Sequence, residues 1–288
     1  MARRWELGVP AGSPLIEVDG VRLAVAREGR GPVIVCLHAV GHGGGDFAAL
    51  TAAMRDRFEV IRLDWPGQGR SQDDLAHPAS AARYADLLEG LLQKLGVVRP
   101  VIVGNSIGAA AAILYAARRP VRGLVLCDSG GLVAVGATVR RFTRAFGAFF
   151  RAGARGAWWY PAAFALYYRM VLPAPAARGQ RARVIASSRE IAGVLEQAWL
   201  SFGREHADIR AVAAGLETPV WFAWARSDRV IPLSLCRPAI EAMRQATVSV
   251  FAGGHAPFLE QPAAFLAGFE SFLGRLEPAE GSVPAFAG

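Results

Sequence analysis

The sequence predicts an α/β fold: a mostly parallel, doubly covered eight-stranded sheet carrying an inserted helical cap. Eight apolar runs of strand length recur along the 288 residues, at 15–18, 21–26, 33–37, 60–63, 101–103, 123–127, 220–225 and 248–251. From residue 33 onward they alternate with helix-length segments, the pattern of right-handed crossovers between parallel strands. Between about 130 and 215 the alternation stops, and that stretch has helical patterns only.

The elements follow in order. Runs 15–18 and 21–26 flank Asp19-Gly20, a type I′ hairpin signal, so the sheet opens with an antiparallel pair. Run 33–37 is apolar throughout rather than alternating, as is 101–103, which fits strands buried on both faces. Helices are expected at 47–57, 80–95, 107–118, 233–244 and 262–276. The 130–215 segment is broken at Pro161 and at Pro173-Ala174-Pro175, and its first half holds Phe142, Phe146, Phe149, Phe150, Trp158, Trp159, Tyr160, Phe164, Tyr167 and Tyr168. An insertion of this kind forms a small core of its own and a ceiling over a pocket. The expected organisation is therefore a core of 1–129 and 216–276, a cap of 130–215, and a flexible tail of 277–288.

Composition narrows the function classes. An apolar fraction of 53% against 19% charged residues supports a large core and excludes disorder. No uncharged apolar run approaches the roughly 18 residues that span a bilayer, and residues 1–6 are not followed by an apolar signal core. Cys36, Cys127 and Cys236 are odd in number and widely spaced, which points to a reducing cytoplasm rather than a disulfide framework. The net charge of +8 comes from singly scattered arginines, Lys94 being the sole lysine, with no basic block or nucleic-acid motif. Nucleic acid is not an expected partner.

The chemistry centres on Gly104-Asn105-Ser106-Ile107-Gly108, a Gly-x-Ser-x-Gly between a strand and a helix. The glycines permit a sharp turn that holds the Ser106 hydroxyl at the strand's carboxyl end, where open α/β sheets bind ligands. A serine needs a base, and the base needs an orienting carboxylate. A lone histidine is ordinarily a surface or capping residue, but His255 follows Gly253-Gly254 at a strand's carboxyl end and precedes a helix. Asp228 ends run 220–225 and lies between serine and histidine in the chain; Asp128, ending run 123–127, is the alternative acid. One oxyanion N–H is expected from Ile107 at the helix start, the other from the loop beginning His38-Ala39-Val40-Gly41. That loop lacks any phosphate-cradling pattern, and His38 with His42 lacks ligand spacing for a metal, so no cofactor or metal is expected.

The chain resembles the α/β-hydrolase superfamily over about residues 15–276. His38-Ala39-Val40-Gly41 is similar to its His-Gly oxyanion loop, with alanine in place of the usual second-position glycine. The segment Asp64-Trp65-Pro66-Gly67-Gln68-Gly69-Arg70-Ser71 is similar to its Asp-x-Pro-Gly-x-Gly-x-Ser loop, and residues 104–108 to its nucleophile elbow. The resemblance implies an α/β-hydrolase fold, Val40 and Ile107 as oxyanion donors, and Ser106, Asp228 and His255 as a catalytic triad. Dehalogenases and epoxide hydrolases of similar loop pattern attack with aspartate, and Ser106 in that place argues against both. The expected activity is hydrolysis of a carboxylic ester, or a related acyl bond, of a small-to-medium apolar substrate through an acyl-enzyme. Meta-cleavage-product C–C hydrolases share the Gly-Asn-Ser-x-Gly elbow. Ala256 stands where they carry tryptophan, and the arginines at 140, 141, 144, 151 and 155 would suit their anionic dienoates. A non-hydrolytic cyclase or binding protein on this fold is the third reading. His38, Ala39, Asn105, Trp158 and Trp159 are the candidate pocket residues; the tryptophans would otherwise dock a membrane surface or a second copy in a homodimer.

Overall fold

Packing apolar side chains on both faces of one sheet requires helices above and below it, and the chain supplies them in sequence. The computed structural model describes residues 4–276. Strands β1 (Leu15–Val18), β2 (Val21–Glu28), β3 (Val33–Leu37), β4 (Glu59–Leu63), β5 (Val101–Asn105), β6 (Gly123–Cys127), β7 (Val220–Ala225) and β8 (Ala246–Phe251) form one sheet in the order β1-β2-β4-β3-β5-β6-β7-β8. β1 and β2 run antiparallel, β2 meets β4 antiparallel, and every other pairing is parallel. The hairpin has the expected type I′ form: Asp19 and Gly20 both take positive φ, 47° and 77°.

Helices α1 (Ala48–Met54), α2 (Ala81–Lys94) and α3 (Ile107–Ala116) belong to the first half, and α9 (Leu233–Glu241), α10 (Pro257–Glu260) and α11 (Pro262–Leu273) to the second. Between β6 and β7 lie α4 (Ala137–Ala154), α5 (Tyr160–Val171), α6 (Arg178–Ala186), α7 (Ala192–Ser201) and α8 (Arg210–Ala214). Successive strand residues divide between two cores. Val35 and Leu37 join α2 and α3 on one face, while Ile34, Cys36, Val101 and Val103 join α1 and α11 on the other. This division is why β3 and β5 read as continuous apolar runs.

Several boundaries differ from expectation. The first crossover helix begins only after a 3-10 turn at Gly44–Phe47 and stops at Met54, and α11 ends at Leu273. β8 starts two residues early because it is a sheet edge, with Val248 and Val250 exposed on alternate positions. In the insertion, α4 packs mainly on α7, whereas α8 packs on α3 and α9; the expected boundary at 215 falls after that helix. The tail expected at 277–288 lies outside the described residues. Among the described residues no helix is long and apolar enough to cross a membrane.

Sheet order also positions the site. β3 lies between β4 and β5, so the chain leaves β3 on one side and returns on the other. The loops after β3 and β5 therefore leave side by side, with Leu37 paired to Gly104, at the switch point where such sheets bind ligands.

Candidate active site

Ser106 sits between β5 and α3 with φ +55° and ψ −114°, a left-handed conformation that costs a non-glycine residue energy. Three backbone bonds hold it there: its N–H donates to Cys127 O (3.0 Å), and its carbonyl accepts from Ala110 N (3.1 Å) and Gly130 N (3.1 Å). The flanking glycines are dictated by crowding. A Cβ on Gly108 would stand 2.4 Å from Leu37 O, and one on Gly104 2.7 Å from the Ala109 backbone. Ser106 makes no side-chain cap to α3, and it is one of the residues lining a cavity of about 380 Å³.

His255, after β8, lines the same cavity. Its Nδ1 lies 2.8 Å from Asp228 Oδ2. Asp228 Oδ1 in turn accepts from Val230 N (2.7 Å) and Ile231 N (2.9 Å), so both oxygens are engaged and the carboxylate is fixed. Two side chains secure the histidine loop: Glu260, which the sequence did not single out, and Asn105, which it assigned to the pocket. Glu260 Oε2 accepts from the N–H groups of Gly254, His255 and Ala256 at 2.7, 3.1 and 3.3 Å. Asn105 Nδ2 donates to Cys127 O and to His255 O, both at 3.1 Å, tying the elbow to that loop. Asn105 is thus behind the wall rather than part of the pocket lining.

Asp128 also reaches this region. Its carboxyl, Asp228 and His255 present atoms that all lie within 4.8 Å of one another. Asp128 faces Asp228 and accepts from Ala225 N (2.8 Å), and its hydrogen bonds do not include His255. Burial and the neighbouring Asp228 charge push its carboxyl well above the usual carboxylate range. A metal at these three residues would have to displace bonds already made by both Asp228 oxygens and by His255 Nδ1.

The loop after β3 is gripped from below. Asp64 accepts from Gly44 N (2.7 Å), Arg70 N (2.8 Å) and Val9 N. Gln68 Oε1 takes Gly41 N at 2.6 Å, and its amide donates to Tyr84 OH. Val40 lines the cavity, and neither its N–H nor that of Ile107 has a hydrogen-bond partner among the described residues. His38 is not a pocket residue. It is buried, its Nδ1 bonds Ala39 O (2.7 Å), its Nε2 accepts from Trp65 N (2.9 Å), and burial pulls its pKa down to about 4. Neighbouring Ala39 does line the cavity.

Three of the aromatics expected over the pocket, Phe142, Tyr167 and Tyr168, do line it, whereas Trp158 and Trp159 do not. Trp199 lines it as well, with Phe146 stacked on it at 4.3 Å. Trp158 is 87% exposed and Trp159 39%, and neither lines it, because both precede α5 rather than lie on its inner face. That face was legible in helical spacing: Tyr160, Phe164, Tyr168 and Val171 are its buried residues.

A family model described as the alpha/beta hydrolase family matches residues 34–268. The chain is 29% identical over 296 residues to an uncharacterized protein of Mycobacterium tuberculosis, covering 91% of this chain and 81% of that one. It is 28% identical over 279 residues to the pimeloyl-acyl-carrier-protein methyl ester esterase of Stenotrophomonas maltophilia, covering 88% and 97%. Its fold matches a thermophilic esterase from Thermogutta terrifontis with a TM-score of 0.74 at 22% identity, over 91% of this chain and 97% of that one.

Proposed function

The chain belongs to the alpha/beta hydrolase family, and on that premise we propose that it is a serine hydrolase cleaving a carboxylic ester, or a related acyl bond, of a small-to-medium apolar substrate. The observation that carries this reading is Ser106 held at φ +55° on the wall of a cavity shared with His255, whose Nδ1 is 2.8 Å from the buried Asp228. Strain of this kind is retained where a hydroxyl must be presented rather than packed away. The esterases among its relatives support the acyl bond.

In this mechanism His255 Nε2 takes the Ser106 proton as Oγ attacks the carbonyl carbon. The N–H groups of Val40 and Ile107 receive the oxyanion, the second aided by the α3 dipole. His255 then protonates the leaving oxygen, and water reverses the sequence on the acyl-enzyme. Asp228 holds the imidazole tautomer and balances its transient charge. The three free, buried cysteines support a reducing compartment.

The test joins labelling to turnover. A fluorophosphonate probe is expected to modify Ser106, and Ser106→Ala to lower p-nitrophenyl butyrate turnover by at least about 10³-fold. Unchanged turnover in that variant would refute the proposal.

A further inference from the structure

The geometry points to His42 as a second polar anchor of this cavity, a hydrogen-bond acceptor for an N–H or hydroxyl group carried by the acyl substrate. This rests on the serine-hydrolase reading above. His42 lines the cavity with Ser106 and His255, yet it belongs to a separate relay. Its Nδ1 lies 2.7 Å from Asp46 Oδ2, and the other Asp46 oxygen accepts from Gln180 Nε2 of α6. Gln180 cannot turn its amide over, because Arg183 donates to Oε1 through Nε (3.0 Å) and Nη2 (2.6 Å). His42, Asp46 and Gln180 are all buried.

The relay determines what His42 offers. A carboxylate oxygen only accepts, so Nδ1 carries a proton, and an imidazole with a single proton there presents its lone pair on Nε2. Nε2 has no partner among the described residues. A device that merely tied α6 to the loop after β3 would need the Asp46–Gln180 bond alone, without an imidazole opening on the substrate cavity. Burying three polar side chains under an apolar ceiling is costly unless each is satisfied, and the open lone pair is the position that a substrate donor completes. Tyr168, whose ring lies 5.8 Å from that of His42, walls the same corner, so the donor would sit against an otherwise aromatic surface.

Two probes isolate the contact. The p-nitrophenyl esters of N-acetylglycine and of 4-oxopentanoic acid differ only by N–H in place of CH₂. The readout is the ratio of their kcat/KM values, with fluorophosphonate labelling of Ser106 measured on each protein. His42→Ala is expected to lower the N-acetylglycine preference about tenfold, the worth of one hydrogen bond. Asp46→Asn, nearly isosteric, is expected to lower it at least as far. The amide would donate to Nδ1, move the proton to Nε2 and turn the cavity acceptor into a donor facing another donor. Asp46 is in this sense a positioning residue, and a purely structural role would not shift the ratio between two isosteric esters. A ratio within twofold of wild type in both variants, with Ser106 still labelled, would overturn the proposal. Absence of Ser106 labelling in the wild-type protein would instead overturn the serine-hydrolase reading.

Discussion

Replacing Asp228 by asparagine should cost about three orders of magnitude in kcat/KM, whereas the same replacement at Asp128 should cost little. The side chain of Asp228 is fully buried, with Oδ2 2.8 Å from His255 Nδ1. When His255 takes the Ser106 proton, an imidazolium forms with its charge about 4 Å from that of the carboxylate. At an effective dielectric of about 20 their attraction is about 4 kcal/mol. At about 1.36 kcal/mol per decade this is roughly 10³ in rate, and the amide additionally favours the wrong imidazole tautomer. The Asp128 carboxyl is raised well above the usual range, and asparagine there keeps an acceptor for Ala225 N and removes no carboxylate that holds His255. Stability gives a second readout. Because the folded-state pKa of Asp128 is raised, the folded protein holds a proton that the unfolded chain releases above about pH 4, so this group's contribution falls as pH rises through that window. Asp128→Asn should flatten that decline. The assay is p-nitrophenyl butyrate hydrolysis across pH together with urea unfolding of both variants. If Asp228→Asn kept more than a tenth of the activity while Asp128→Asn lost it, Asp128 would be the acid and the reasoning would fail.

Glu260→Gln should lower unfolding stability by about 2 kcal/mol, since one carboxylate oxygen accepts three backbone N–H groups of the histidine loop. It should also slow fluorophosphonate labelling of Ser106; unaltered urea midpoint and labelling rate would count against that role. His38 gives a pH signature of opposite sign to that of Asp128. Its pKa is lowered from 6.5 to about 4, so its contribution is complete above pH 6.5 and is lost as pH falls toward 4, by about 3 kcal/mol at most. His38→Gln should flatten the acid limb of the stability profile, and an unchanged limb would show that another group sets it.

How far the sequence discloses the fold follows from where its constraints are local. β3, β5 and β6 are buried on both faces, so their apolar runs are unbroken and their place as strands is easily inferred. The Asp19-Gly20 turn needs only two positive φ angles, and dipeptide chemistry specifies them. β8 and α1 were less legible because their limits depend on neighbours: an edge strand alternates exposure, and the 3-10 turn before α1 is drawn in by Asp64, which grips Gly44 from 20 residues away.

The same distinction separates the legible half of the site from the rest. Ser106, Asp228 and His255 each lie within four residues of a strand's carboxyl end, so their place at that edge of the sheet can be inferred from the order of elements alone. His38 and His42 stand four residues apart in one glycine-rich loop, and nothing local says which imidazole faces the cavity. That is decided by long-range grips: Trp65 N captures His38 Nε2 behind the wall, while Asp46, itself held by Gln180 of α6, orients His42. Asp128 and Asp228 likewise follow adjacent strands, but only packing brings them within 4.8 Å of each other, and burial together with that contact pushes the Asp128 carboxyl well above the usual range. Strand-end position therefore identifies the candidate groups, whereas the direction of each is a property of partners drawn from elsewhere in the chain. Substitution at Asp46 should therefore shift the ratio between the two isosteric esters, whereas substitution at Asp128 should leave turnover nearly unchanged.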